Sequence, residues 1–461
     1  MKKHLKTFVF LGLLTLLLFY GAPALGAQAF GFGDGAGTLE GAKTDGGASA
    51  DAGAAAGASP AFSGPNLKGE VSFGLLAFPE KILDGDFSDS AALPAAALSL
   101  NAAGSKADAR IALKLDEDLL SSRPENILDE AWLQLYTGQT IIQGGLMRHT
   151  WGRADSLSVL DILNPKDLSD LTLRDEQDRK IPQPMLRISQ GLGSSLSAEL
   201  VYLPWFEGDR LAMDGPWIPS QIKTLLSVPN LKFASLPDTY HFNFGQAGLR
   251  LNASLIGLDL GAQYFYGRLT TPYINTTDIF TFMYLDPSRK IGIGYNTYQQ
   301  IGADAAFVLG GFNVRLEGGI NLTEDSAGTD TLVYNRNIVW SAGFDRELFA
   351  GINLNFQSSG KVRLQHDKIT SPLDIESGME ISSTQLAALL SRSFLRDTLK
   401  VEFLGLLGVE KQDYMIEPGL VLSVGDAEIA LRGRYFGGDS EGEFGQFNDR
   451  SYVSLSSKYE F

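Results

Sequence analysis

The chain has 461 residues, no cysteine and a formal net charge of −16, with 44% hydrophobic and 20% charged residues. Without cysteine there is neither a disulfide nor a lipid-modified cysteine, and so acidic a chain lacks the basic patches that nucleic-acid phosphates require. Beyond the N-terminus no stretch approaches the ~20 apolar residues of a membrane helix, which excludes a helical bundle in lipid.

Lys2, Lys3 and Lys6 precede an apolar run from Phe8 to Tyr20, and Ala22, Ala24, Gly26 and Ala27 follow. A charged start, a short apolar core and a zone of small residues predict a secretory signal peptide over 1–27, cleaved near Gly26, Ala27 or Ala29. A retained anchor is the alternative, but the run is short for a spanning helix. Residues 28–66 are low-complexity Gly, Ala, Ser and Asp, with few large apolar side chains (Phe30, Phe32 and Phe62 among them). Too little apolar surface is present to offset the entropy of ordering, so this is read as a flexible periplasmic segment. A small plug threading a lumen is the other reading.

From Leu67 to the end, segments of period two are divided by turns. Leu258, Leu260, Ala262, Tyr264 and Tyr266 oppose Asp259, Gly261 and Gln263. Phe312, Val314, Leu316 and Ile320 oppose Asn313, Arg315, Glu317 and Asn321; Ile352, Leu354 and Phe356 oppose Asn353, Asn355 and Gln357. Such alternation means β-sheet with two differently solvated faces. Tight turns are expected near Gly138-Gln139, Gly193-Ser194, Ser254-Leu255, Gly310-Gly311, Asp345-Arg346, Leu395-Arg396 and Gly425-Asp426. Longer polar segments lie between them, near 79–92, 116–127, 149–183, 205–240, 268–296, 323–331, 359–377 and 438–449. Long and short links in alternation, with about 18 strands (16 as the alternative), predict an all-β, antiparallel, up-and-down transmembrane β-barrel over 67–461 with both termini periplasmic. The 81–106 region is the weakest part of that count. Aromatics near the strand ends, among them Phe78, Trp205, Phe206, Tyr264, Trp340, Tyr435, Phe436, Tyr452 and Tyr459, are expected at headgroup depth.

The densest polar block runs from His149 through Thr150, Trp151, Gly152, Arg153, Ala154 and Asp155 to Asp161, Asn164, Pro165, Lys166 and Asp167. With the flanking pair Glu130–Tyr136 and Gln143–Arg148, it resembles a family of porin-like outer-membrane barrels of Gram-negative bacteria. Their shared block is Trp-Gly-x-x-Asp followed by Asn-Pro-x-Asp, directly after an early strand. The block covers under a tenth of the chain. The resemblance implies a transport or export role and supplies no substrate. Physically, a charged loop at this position that folds inward would narrow a lumen and select solutes by size and charge, which makes Trp151, Arg153, Asp155, Asp161, Asn164 and Asp167 candidate constriction residues. The other reading is that they only keep the loop compact.

Asp170, Arg174, Asp175, Glu176, Asp178, Arg179 and Lys180 form a mixed-sign run that reads as a solvated face; a divalent-cation site is the sharper alternative, but the spacing of a calcium loop is absent. The segment Leu203-Pro204-Trp205-Phe206 with Met213 and Gly215-Pro216-Trp217-Ile218-Pro219 is unusually apolar for an outer loop. It either holds a hydrophobic or lipidic substrate, or buries its own rings over the barrel. Expected inward-facing charges are Arg315, Glu317, Glu428, Arg432, Arg434, Lys458 and Glu460.

The chain ends on an amphipathic strand: Val453, Leu455, Tyr459 and Phe461 oppose Ser454, Ser456, Lys458 and Glu460. A last strand that closes a cylinder has this form, and Tyr459 and Phe461 resemble the terminal signal read by the barrel assembly machinery. No catalytic or metal site and no cofactor is expected: His149, His241 and His366 are the histidines beyond the signal, and neither a Gly-x-Ser-x-Gly nor a His-Glu-x-x-His motif occurs. The sequence therefore points to a porin-like channel for small solutes in the outer-membrane lipid. An exporter of hydrophobic molecules and a closed structural or adhesive barrel are the alternatives, and both a monomer and a homo-oligomer are compatible.

Overall fold

The computed structural model describes residues 63–461 apart from Ser122 and Leu236. The expected signal peptide and nearly all of the low-complexity segment lie outside the described residues. Eighteen strands form one sheet. In chain order they are β1 Ser63–Ala77, β2 Ala91–Ala103, β3 Ala107–Asp116, β4 Leu128–Thr137, β5 Thr140–Met147, β6 Gln183–Gly191, β7 Leu196–Leu203, β8 Gln246–Leu255 and β9 Leu258–Arg268. There follow β10 Thr297–Leu309, β11 Phe312–Thr323, β12 Asn337–Glu347, β13 Asn353–Arg363, β14 Ser382–Phe394, β15 Leu399–Gly408, β16 Asp413–Val424, β17 Ala427–Gly437 and β18 Tyr452–Glu460.

Every strand pairs antiparallel with the next, and β18 pairs antiparallel with β1 from Glu70 against Glu460 to Ala77 against Val453. The sheet is a closed cylinder, so the backbone groups of its strands are paired within the protein and no edge remains. At the seam the Gly69 amide donates to the Phe461 carbonyl at 2.8 Å, and the Phe461 amide returns the bond at 2.9 Å. The Phe461 ring lies over Gly69 so closely that a Cβ there would meet ring carbons at 2.2 Å. Only glycine leaves that slot open.

The cylinder is inside out. Val71, Phe73, Leu249, Ile301, Phe403 and Leu431 stand exposed on the outer face, while Gln134, Gln143, Gln263, Gln300, Glu402 and Glu417 are buried inside. Exposed apolar bands on a closed barrel match a lipid environment, where the hydrocarbon takes the place of a protein core. No described helix is long and apolar enough to cross a membrane; the strands do so.

The connections alternate long and short, as the spacing of turns implies, except at the link around Lys411, which joins Gly408 to Asp413 and is short on the long-loop side. Boundaries differ in four places. β1 begins at Ser63, four residues before the expected start, and a turn over 104–106 within the 81–106 region separates β2 from β3. Apolar alternation runs through Ser254-Leu255 to the turn at Ile256-Gly257, and through Asp345-Arg346 to the one over 348–352. The expected aromatic belts are also thinner. Tyr264, Tyr266, Tyr435, Tyr459 and Phe461 face outward, but Phe78, Phe206, Phe436 and Tyr452 are buried in the interior. Tyr435 and Phe436 show why: neighbours on a strand point to opposite faces.

The long loops form a folded cap. Leu211, Met213, Ile222 and Leu225 of the 204–245 loop pack with Ile274, Phe282 and Ile291 of the 269–296 loop, with Tyr334, and with Ile375 and Met379. Short helices Ser220–Leu226 and Thr276–Tyr284 present these apolar side chains.

Candidate functional site

The loop over 148–182, between β5 and β6, folds into the barrel. Its root is held by residues of the Asn-Pro-x-Asp block. Asn164 is buried; its side-chain oxygen accepts from the His149 amide at 2.8 Å, and its nitrogen donates to the carbonyls of Met147 at 3.2 Å and Ile181 at 2.9 Å. One amide thus closes the loop's two ends. Beside it Lys180 is buried against Asp161 at 2.6 Å, and Lys166 meets Glu176 at 2.9 Å. Asp167 pairs with Arg210 at 2.5 Å and Arg123 at 3.2 Å, tying the root to two neighbouring outer loops. Burial alone would raise its carboxyl, but Arg210, then Arg123 and Ser169 hold it at about 2.

The Trp-Gly-x-x-Asp block carries the loop to the far wall. Trp151 is buried, donates from Nε1 to Glu199 of β7 at 2.7 Å and packs edge-on to Phe265 of β9. A Cβ on Gly248 of β8 would lie 2.3 Å from the Trp151 ring, so the wall is relieved there to admit it. Gly152 has φ of +90° and stands so near Glu317 that a Cβ would lie 2.4 Å from Oε1. Both facts require glycine after the tryptophan.

Glu317, on the inward face of β11, anchors the tip. Its carboxylate accepts from the backbone amides of Arg153 at 2.6 Å, Ala154 at 2.8 Å, Val159 at 2.9 Å and Leu160 at 3.3 Å, and from the Ser158 hydroxyl at 2.9 Å. A charged acceptor in such a nest of donors makes strong bonds. Arg153 Nε donates to Asp304 of β10 at 2.7 Å. Asp155 accepts from Arg315 at 3.0 Å and from Asn355 of β13 at 2.8 Å. Burial holds the Asp155 carboxyl above its ordinary value, with Arg315 opposing. Gln357 takes the Leu157 amide at 3.0 Å. On the return, Arg174 pairs with Glu402 of β15, and Arg434 of β17 donates to the Leu171 carbonyl and pairs with Glu417 of β16 at 2.5 Å.

Behind the loop the interior is packed. Trp217, from the apolar 204–245 loop, is buried among Phe78, Phe436, Phe447 and Tyr452, in one cluster with Leu157 of the inward loop. Phe206 and Met213 are buried as well, whereas Trp205 is half-buried and borders the cavity.

A cavity of about 3710 Å³ stays open along the β1–β8 side. At the end with the short turns it is bordered by Asp426, Ser456 and Glu460; at the other by Asp118, Asp214 and Tyr240 of the outer loops. Of the six candidate constriction residues, Trp151, Arg153 and Asp167 border this space, whereas Asp155, Asp161 and Asn164 serve as fastenings behind it. From the mixed-sign run Glu176, Arg179 and Lys180 are buried, and Gln177 and Asp178 are exposed toward the cavity. The inward-facing charges stand on the inner wall: Arg315 and Glu317 against the loop, Arg434 with Glu417, Arg432 at 3.8 Å from Glu402, Glu428 opposite Lys458 in register, and Lys458 with Glu460 at 2.8 Å. The wall partners Glu199, Asp304 and Gln357, and Glu70 across the cavity, escaped the sequence reading. Asp304, alone between Ala303 and Ala305 at an inward position, was the visible signal.

His149 meets Glu199 at 2.7 Å, His366 meets the Met379 carbonyl at 2.7 Å, and His241 meets Asp238 at 3.0 Å. The three stand in separate loops. Among the described residues no group of three or more His, Asp or Glu is placed to hold a metal.

No family model matches the chain, and no curated protein does. Solved structures with similar traces include OccK11 of Pseudomonas aeruginosa, with a TM-score of 0.44, 12% identity, 86% of this chain and 95% of that one covered. The outer membrane channel DcaP of Acinetobacter baumannii gives 0.41 at 9% identity over 86% and 97%. Wzi of Escherichia coli, described as a carbohydrate-binding β-barrel, gives 0.42 at 10% identity over 86% and 84%.

Proposed function

We propose that the chain is an outer-membrane channel through which small hydrophilic solutes pass beside the inward loop. The observation that carries this is a cavity that extends from Glu460 and Asp426 at the short-turn end to Asp214 and Tyr240 among the outer loops. A barrel serving only as a scaffold has no need of an open path from end to end. The loop over 148–182 forms one wall of the path, and β1–β8 form the other. The resemblance of its Trp-Gly-x-x-Asp and Asn-Pro-x-Asp blocks to porin-like barrels agrees with this role, since here those blocks fasten the loop. The apolar 204–245 loop encloses Trp217 and Phe206 and leaves Trp205 half-buried at the border of the cavity.

Planar-bilayer recording of the refolded mature protein tests the reading. Discrete, steady conductance steps are expected. Deleting 153–170 should enlarge the steps or alter solute exclusion while the barrel still assembles. A folded barrel that passes no current would overturn the proposal.

A further inference from the structure

We infer that the passage favours cations over anions, a property that rests on the channel reading above. The cavity is bordered by eighteen Asp and Glu side chains against eleven Lys and Arg. Ion pairs within the lining remove one charge of each sign and leave that excess in place, and two lining carboxylates are neutralised from outside it, Asp89 by Lys81 and Arg450 and Glu460 by Lys458. Arg110 is tied to Glu130 at 2.9 Å, Arg148 to Asp129 at 2.5 Å, Arg187 to Glu199 at 2.6 Å and Arg250 to Asp304 at 2.6 Å. Several cations are neutralised by carboxylates that stand behind the lining: Asp304 for Arg153 and Arg250, Asp155 and Asp345 for Arg315, and Asp161 for Lys180. Among the described residues, Lys68 and Lys114 are the lining cations with no carboxylate at ion-pair distance. Glu70, Asp116, Glu117, Asp170, Asp178 and Asp214 border the same space with no cation at that distance.

The imbalance has a focus where the loop faces β1. The short helix Glu176–Arg179 buries Glu176 and Arg179 and turns Gln177 and Asp178 to the cavity. Asp178 of the loop and Glu70 of β1 both border this cavity, so the loop and the wall each supply a carboxylate to the path. Lys114 and Lys458 reach Glu70 and offset part of this charge. The unpaired excess over the whole lining remains acidic. Fixed charges act over about 8 Å at physiological salt, which covers the space beside such a wall. A potential of about one thermal unit there enriches monovalent cations ~3-fold and depletes anions equally, a permeability ratio of about 7.

The test is the reversal potential of the mature protein in a planar bilayer under a potassium chloride gradient. A potassium-to-chloride permeability ratio above about 3 is expected. A conducting protein with a ratio at or below unity overturns the inference and leaves the channel reading standing; a folded but silent barrel overturns both. Because the chain has no cysteine, Asp178→Cys supplies a single thiol. Labelling it with a cationic methanethiosulfonate should lower the ratio about twofold or more, and an anionic one should restore it. An unchanged ratio in protein shown by mass to be fully labelled removes Asp178 from the assignment.

Discussion

Glu317 decides where the inward loop sits. Four amides and a hydroxyl converge on one carboxylate, and of the four amides only that of Leu160 has a second acceptor among the described residues, the Ser158 hydroxyl at 3.4 Å. In Glu317→Ala they lose the carboxylate at once, and each buried donor left unsatisfied costs ~1–3 kcal/mol. The strand ladder does not depend on this side chain, so barrel melting should shift little. Proteolysis within 148–182 and open-channel current noise should both rise; protection equal to the parent would show that the anchor is dispensable. Gly248→Leu attacks the same placement from the wall side, since its side chain must displace the Trp151 ring at a cost of ~1–3 kcal/mol. Asp167 adds a pH dependence. Its carboxyl is held at about 2 against an ordinary 3.8, so its bonds to Arg210 and Arg123 stabilise the loop root above pH 3.8, by about 2 kcal/mol. That contribution is lost as pH falls from 3.8 through about 2. Hydrogen exchange at the root should therefore accelerate across that window in the parent and be fast throughout in Asp167→Asn.

At the level of elements, strands were legible and their fastenings were not. Period-two alternation such as Leu258 to Tyr266 places each residue on a face, and a closed barrel gives each face a solvent, so strand number followed from the turns. Boundaries slipped where alternation continued into the turn, as at Ser254 and Asp345. The loop was legible as a polar block, yet its members divide by partner: Asn164 holds the root, Asp155 reaches β11 and β13, and Arg153 reaches both the wall and the open space. The wall partners lie more than 100 residues away in sequence, as the Arg153 to Asp304 and Ser156 to Gln357 bonds show, whereas those of Asn164 are local. Periodicity carries no information about that distance. The mixed-sign run looked like a solvated face because composition hides which side of a four-residue helix is covered. The last strand invites a test of its own. Removing Phe461 empties the slot over Gly69 and deletes two seam hydrogen bonds, so heat-modifiable barrel recovered from membranes should fall several-fold, whereas Tyr459→Phe, which keeps a ring in the stack, should assemble normally.

Across the whole molecule the interior is divided unequally. The wall from β9 to β17 is covered by the inward loop and by Trp217 with its aromatic neighbours, and the wall from β1 to β8 borders the open path. Trp217→Ala should cost ~3–5 kcal/mol in barrel stability, read from the melting transition, because it hollows a cluster spanning four loops and several strands. Substitutions of like size on β2, such as Ala95→Ser, should leave stability alone and change conductance. The fastening of the loop has one further result. An arm bolted at its base, its bend and its returning limb has no hinge on which to swing, and the bolts are groups of the wall itself. A transmembrane voltage that shuts a loosely hung flap would find nothing here to push, so current should persist at either polarity without spontaneous closure.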